Sequence, residues 1–261
     1  MLIVKKMTIN GDIVDDDTAW MYSFFGMSCT SPKSVRDVLQ DSDDDETTPE
    51  DLTVDISSGG GDVFAGSEIY TLLRNYDGKV VVNVYGLAAS AASVIAMAGD
   101  EVNMSPTAQM MIHKAWSVNQ GNADDHEHEA KVLDSIDQSI VTAYVDKTGL
   151  KRDDILQMMQ NETWMTAQEA VDKGFANGIM FHNDDDDEDD TDDHEDALQV
   201  AAATHSIPKK DAVKKFMMLL HSDKAKETVK KQQNNSQNKP TSLYDKKLAL
   251  LLNKNITEKE N

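Results

Sequence analysis

A single cysteine, Cys29, stands in the 261 residues of the chain. One thiol can form no internal disulfide and no cysteine-rich zinc site, and such sparing use fits a reducing compartment. Apolar runs long enough to span a bilayer, roughly 20 residues, are also missing. Residues 1–6 are too short for a secretory signal and run into polar sequence. A soluble, cytoplasmic protein without membrane contact is therefore expected. Positive charge is scarce as well: 25 Lys and Arg stand against 47 Asp and Glu, for a formal net charge of −22. Much of that excess lies in two runs, residues 41–46 and 184–196, which read as solvated loop or linker. Neither has the glycine and glutamate spacing of an EF-hand loop, and an acidic coat argues against nucleic acid as a partner.

What the chain does have is small residues around one hydroxyl. Residues 79–85 are a β-branched run, the signature of a buried strand, and Gly86-Leu87-Ala88-Ala89-Ser90 follows it directly. Residues 91–98 are apolar helix formers, so Ser90 falls where a strand turns into a helix. There it is either a helix cap or a nucleophile backed by unpaired N–H groups and the positive end of the helix dipole. A second glycine-rich loop, Ser57-Ser58-Gly59-Gly60-Gly61-Asp62, separates a strand at 52–56 from a helix marked by Ile69, Leu72, Leu73 and Tyr76. It lacks the lysine of a P-loop and the spacing of a dinucleotide fingerprint, so no cofactor is expected; its N–H groups can instead serve as an oxyanion hole.

The order strand, glycine loop, helix, strand, serine turn, helix predicts an α/β fold with a largely parallel sheet. Around this unit the sequence predicts a strand over 2–13 turning at Asn10-Gly11, and a helix over 34–39. Short strands are expected at 101–104 and 109–113, the second ending on His113, and a long amphipathic helix over 122–147. His126 and His128 on that helix are two apart and face different ways, whereas a zinc pair needs a spacing of four; no metal is expected there. Thr166-Ala167-Gln168-Glu169 reads as a capping box opening a helix that stops near Gly174, before a last strand at 178–181.

These pieces together resemble the proteolytic subunit of Clp protease. The likeness covers roughly residues 50–181 and rests on Ser58-Gly59-Gly60-Gly61, with Gly59 where the family has proline, on Gly86-Leu87-Ala88-Ala89-Ser90, and on Met111-Ile112-His113. It implies a crotonase-like fold of repeated β-β-α units and a serine endopeptidase with Ser90 as nucleophile and His113 as general base. The backbone N–H groups of Gly61 and Ala91 would be the oxyanion donors. The family's third triad member is an aspartate five residues before the alanine of a serine-alanine-x-glutamate-alanine motif. Counting back from Ala167 lands here on Glu162, with Asp146 and Asp153 as alternatives. No cofactor is implied.

Three phrases, Gly60-Gly61-Asp62-Val63-Phe64-Ala65-Gly66, the stretch from Ala91 to Asp100, and Glu162-Thr163-Trp164-Met165-Thr166-Ala167, look like the Clp-related head maturation proteases of tailed phages and prophages. That resemblance implies a ring-shaped homo-oligomer acting on capsid or scaffold protein. A subunit fed by an ATP-driven Clp unfoldase is the second enzyme reading, and a non-catalytic crotonase-like scaffold the third. The expected organisation is a protease domain over 1–181, an acidic linker over 182–197, and a basic, partly disordered tail over 198–261 with short helices, one carrying Val213, Phe216, Met217 and Leu220.

Overall fold

The computed structural model describes residues 5–40 and 50–181. Along the chain these form β1 (Lys5–Asn10), β2 (Asp12–Ile13), α1 (Asp16–Phe25), β3 (Cys29–Thr30), α2 (Pro32–Gln40), β4 (Leu52–Ser58), α3 (Val63–Arg74), β5 (Val80–Ala89) and α4 (Ala91–Ala96). There follow β6 (Glu101–Met104), β7 (Gln109–Ile112), α5 (Ala123–Thr148), α6 (Arg152–Gln160), β8 (Thr163–Thr166), α7 (Ala167–Asp172) and β9 (Gly178–Ile179). The first acidic run, the linker at 182–197 and the tail at 198–261 lie outside the described residues. Asp17–Met27 groups separately from the rest, and within it Trp20 stacks on Phe24 at 5.7 Å between centroids and Phe24 meets Phe25 edge-on at 5.1 Å.

The main sheet is α/β in character and largely parallel, as expected of the crotonase-like fold. β1, β4, β5, β6 and β9 lie side by side in that order, every pairing parallel. Their apolar residues are those the alternation predicts: Met7 and Ile9 of β1 and Val80, Val82 and Val84 of β5 face the core. Asp55 of β4 breaks this pattern as a buried carboxylate, and Lys6 of the neighbouring strand pairs with it at 2.8 Å.

β5 is longer than its β-branched run, because it changes partners midway. Val81–Val84 pairs with β6, whereas Leu87–Ala89 pairs in parallel with β7. At the same place the register with β4 slips: β4 advances from Ile56 to Ser58 while β5 advances from Val84 to Ala88. The irregularity bends the end of β5 away from its first half and carries the serine turn to β7. β7 in turn holds β8 antiparallel, a pairing the sequence reading did not predict.

Helix ends follow local chemistry. Asn122 caps α5 in a reciprocal capping box with Asp125, and Thr166 caps α7 with Glu169 as its sequence predicts. α5 ends on Gly149 in the left-handed region, φ +71°. Near that end, the Lys147 ammonium donates to the carbonyls of Gly99 (3.0 Å) and Asp100 (3.3 Å) and to Asn177 Oδ1 (3.0 Å), tying α5 to the segment after α4. Two further departures are small. β7 stops at Ile112, so His113 is the first residue beyond the strand, and β9 is shorter than the expected 178–181.

Candidate active site

Ser90 is the single residue between β5 and α4, and its backbone is held at φ +54°, ψ −126°. A non-glycine residue there costs on the order of 1–3 kcal/mol and persists only when its surroundings over-determine it. The surroundings are visible. Ser90 N–H donates to Met111 O of β7 (3.0 Å), and Ser90 O accepts from the N–H (2.9 Å) and the hydroxyl (2.6 Å) of Ser93. Ser93 Oγ is itself 2.8 Å from the phenol oxygen of Tyr144 on α5, a buried pair. Burial pushes the Tyr144 phenol far up from its ordinary value, so it stays neutral and able to donate.

The Ser90 hydroxyl does not cap the helix it precedes. It lies 2.7 Å from His113 Nε2. With the proton on Nδ1, Nε2 accepts from the hydroxyl, which is the arrangement a general base requires. His113 is half-buried, and desolvation holds its pKa below the ordinary histidine value, against the opposing pull of the Glu162 and Asp137 charges. A neutral imidazole near neutral pH is the form that can take a proton.

Glu162 reaches this neighbourhood through the antiparallel pairing of β7 and β8. Ile112 opposes Thr163 as the last pair of that register, and His113 and Glu162 are the next residues beyond it on the two chains. Glu162 is exposed, adopts φ +49°, and its carboxylate accepts from Trp164 Nε1 at 3.3 Å. No hydrogen bond joins it to His113 among the described residues; the link is one of charge. Asp146 is exposed on α5 and acts on Tyr70, and Asp153 is exposed on the first turn of α6, lining a cleft with Lys114, Asp134 and Asp137. Neither contributes to the electrostatics of His113.

The glycine loop lies directly against the serine turn. Gly60 has φ +96°, and a Cβ there would stand 2.7 Å from Ala89 O and from Ser90 Cβ. Ser58 Oγ accepts from Gly60 N–H at 3.1 Å and donates to Gly11 O at 2.6 Å, fixing the start of the loop. Ile13 bridges Gly61 in parallel: Ile13 N–H donates to Gly60 O and Asp62 N–H to Ile13 O, both at 2.8 Å. Because alternate peptide groups point to opposite sides of an extended chain, the N–H of Gly61 is turned away from Ile13. Ala91 N–H is the first in α4 and has no acceptor within its helix. Asp62, next in the loop, caps α3 by accepting from the N–H groups of Phe64 and Ala65, both at 2.9 Å.

Sequence reasoning missed Asp137. It sits in α5 within the apolar stripe of Leu133, Ile136 and Ile140, and that position was the available signal, since a carboxylate on the buried face of a helix needs partners. The histidines His126 and His128 are exposed at the start of α5, and no cluster of metal-ligating side chains occurs among the described residues. Among these residues no helix is long and apolar enough to cross a membrane.

A model of the family described as Clp protease matches residues 38–183. An ATP-dependent Clp protease proteolytic subunit of Bacteroides fragilis is 33% identical over 132 residues, covering 50% of this chain and 64% of that one. The subunit of the same name from Deinococcus radiodurans is 29% identical over 139 residues, 52% of this chain and 68% of that one. ATP-dependent Clp protease proteolytic subunit 1 of Chlamydia abortus is 34% identical over 131 residues, 48% and 68%. The chain spans 60–64% of the length of the Bacteroides relatives it matches.

Proposed function

The chain belongs to the Clp protease family, and from that premise we propose that it is a serine peptidase in which Ser90 is the nucleophile and His113 its general base. The observation that carries this reading is the 2.7 Å contact between Ser90 Oγ and His113 Nε2, made by a serine whose strained backbone leaves its hydroxyl free of the helix it begins. His113 takes the hydroxyl proton as Oγ bonds to the peptide carbonyl carbon. The oxygen of that carbonyl, now bearing the charge, lies toward the N–H groups of Gly61 and Ala91. His113 then returns the proton to the departing amine, and the same steps with water release the acyl group. Glu162 supports the imidazolium through its charge from the facing strand. Hydrolysis of an unstructured protein substrate by the parent and by Ser90→Ala tests the assignment. The variant should lose about 10⁴-fold or more, and near-parental hydrolysis in it would overturn the reading.

We further propose that the protease domain spans residues 1–181 and that the protein works as a homo-oligomeric ring in the cytoplasm, processing capsid or scaffold protein during phage head assembly. Support comes from the three phrases that resemble head maturation proteases and from the long acidic and basic sequence after residue 181. Cleavage of a capsid or scaffold protein encoded beside it, without any ATPase, is the expected result. Proteolysis seen only with a Clp unfoldase and ATP would favour the second enzyme reading.

A further inference from the structure

We infer that Asp137 of α5 is a positioning residue for the Ser90–His113 pair, fixing the chain immediately after the histidine and presenting a buried negative charge to the imidazole. The inference rests on the peptidase reading of that pair. Asp137 is 2% exposed, yet it is a charged residue on a helix whose residues 123–128 are all exposed. Buried carboxylates are tolerated only where their oxygens are used. Here both are: Oδ1 accepts from the backbone N–H of Ala115 at 2.7 Å, and Oδ2 pairs with Lys114 Nζ at 3.3 Å.

The two residues so held are the two that follow His113, at the point where β7 has ended and no strand pairing fixes the chain. A second restraint of this kind is Lys114 N–H donating to Met159 O of α6 at 3.1 Å. Between them the two bonds determine how His113 leaves the strand and therefore where its ring stands relative to Ser90. Asp137 and Tyr144 are seven residues apart, two turns along one face of α5. One helix face thus reaches both halves of the pair, Asp137 at the histidine side and Tyr144, through Ser93, at the serine side.

The charge works in the same direction as the geometry. The charged groups that bear on His113 are Glu162 from the start of β8 and Asp137 from α5, and both favour its protonated form against burial. Lys114 pairs with Asp137 and with the exposed Asp134 (3.5 Å), and the Asp137 charge still bears on His113 with that pair in place. Asp137 is thereby suited to stabilise the imidazolium formed when Ser90 gives up its proton.

Asp137→Asn keeps an acceptor for Ala115 and removes the charge; Asp137→Ala removes both. Asp134→Asn removes the exposed partner of the same lysine and serves as control. Two readouts are taken on the full chain: the pH titration of His113 by NMR of histidine-labelled protein, and the rate at which a fluorophosphonate labels Ser90. Asp137→Asn should move the His113 midpoint to lower pH, and Asp134→Asn should leave it where it is. Asp137→Ala should also slow labelling by about 10- to 100-fold, as expected when a reacting group is displaced by about 1 Å. An unchanged His113 midpoint in Asp137→Asn overturns the inference, whatever the alanine variant does. Failure of the parent itself to label would instead sink the peptidase reading, and the NMR titration would still decide whether Asp137 acts on His113.

Discussion

Gly60→Ala places a methyl group where the structure has no room and the backbone no tolerance. Gly60 has φ +96°, and the added Cβ would lie 2.7 Å from Ala89 O, 2.7 Å from Ser90 Cβ and 2.9 Å from Ala91 N. Carbon contacts normally relax to about 3.5–4.0 Å. None of these neighbours is the end of a flexible side chain; all belong to the turn that carries Ser90, so relief must move either the glycine loop or the serine. Left-handed strain of about 1–3 kcal/mol adds to overpacking of about 1–3 kcal/mol, for a total of roughly 2–6 kcal/mol. At about 2–4 °C per kcal/mol for a domain of this size, melting should fall by roughly 4–24 °C. If Ser90 is displaced by about 1 Å, its reaction with a fluorophosphonate should slow by about 10²-fold. Gly59→Ala is the control, because a Cβ there meets nothing within 4 Å. It should match the parent in melting and in labelling. Parental labelling and melting in Gly60→Ala would refute the claim that the glycine loop braces the serine turn.

Ser90→Gly and Ser90→Ala should both be inactive, but the glycine variant should melt higher, because φ +54° is free of strain only for glycine, a difference of about 1 kcal/mol. The pH dependence follows from His113, whose pKa burial depresses. The labelling rate should rise with pH through a midpoint below about 6.5, and Glu162→Gln should move that midpoint lower by removing a charge that favours the imidazolium; a midpoint unmoved by the substitution would remove Glu162 from the site. By the same shift, the unfolded chain takes up the His113 proton more readily than the folded one. The stability this residue contributes is therefore present above about pH 6.5 and is lost as pH falls through the folded-state value. Tyr144→Phe should cost about 0.5–1.5 kcal/mol by equilibrium denaturation while labelling stays near parental, since the Ser93 hydroxyl still reaches Ser90 O; a large fall in labelling would assign the positioning to Tyr144 instead.

Local signals made much of this legible in the sequence. The β-branched run of β5, the glycines before α3 and the small residues around Ser90 write their structure within a few positions, and the Thr166 capping box is as local as a signal can be. Less legible were elements that depend on distant partners. β8 is a four-residue strand, Thr-Trp-Met-Thr, whose strand character comes from its antiparallel seat on β7. β5 extends past its apolar run because β7, more than twenty residues later, takes over its pairing. The site shows the same division. Ser90, His113 and the glycine loop stand in recognisable motifs, whereas Asp137, Ser93 and Tyr144 read as ordinary helix residues until the fold closes Ala115 and Ser90 onto them. Glu162 is intermediate: its position follows from counting, but its exposure and its bond to Trp164 do not.

The central claim is that the hydroxyl of Ser90 is a nucleophile activated by His113. Its most direct test is to treat the full chain with a fluorophosphonate and locate the adduct by peptide mass spectrometry. A single adduct on Ser90 is expected, absent from Ser90→Ala and formed about 10²-fold or more slowly in His113→Ala, where the general base is gone. An unlabelled parent, an adduct on another residue, or labelling of Ser90 at an undiminished rate without His113 would contradict it.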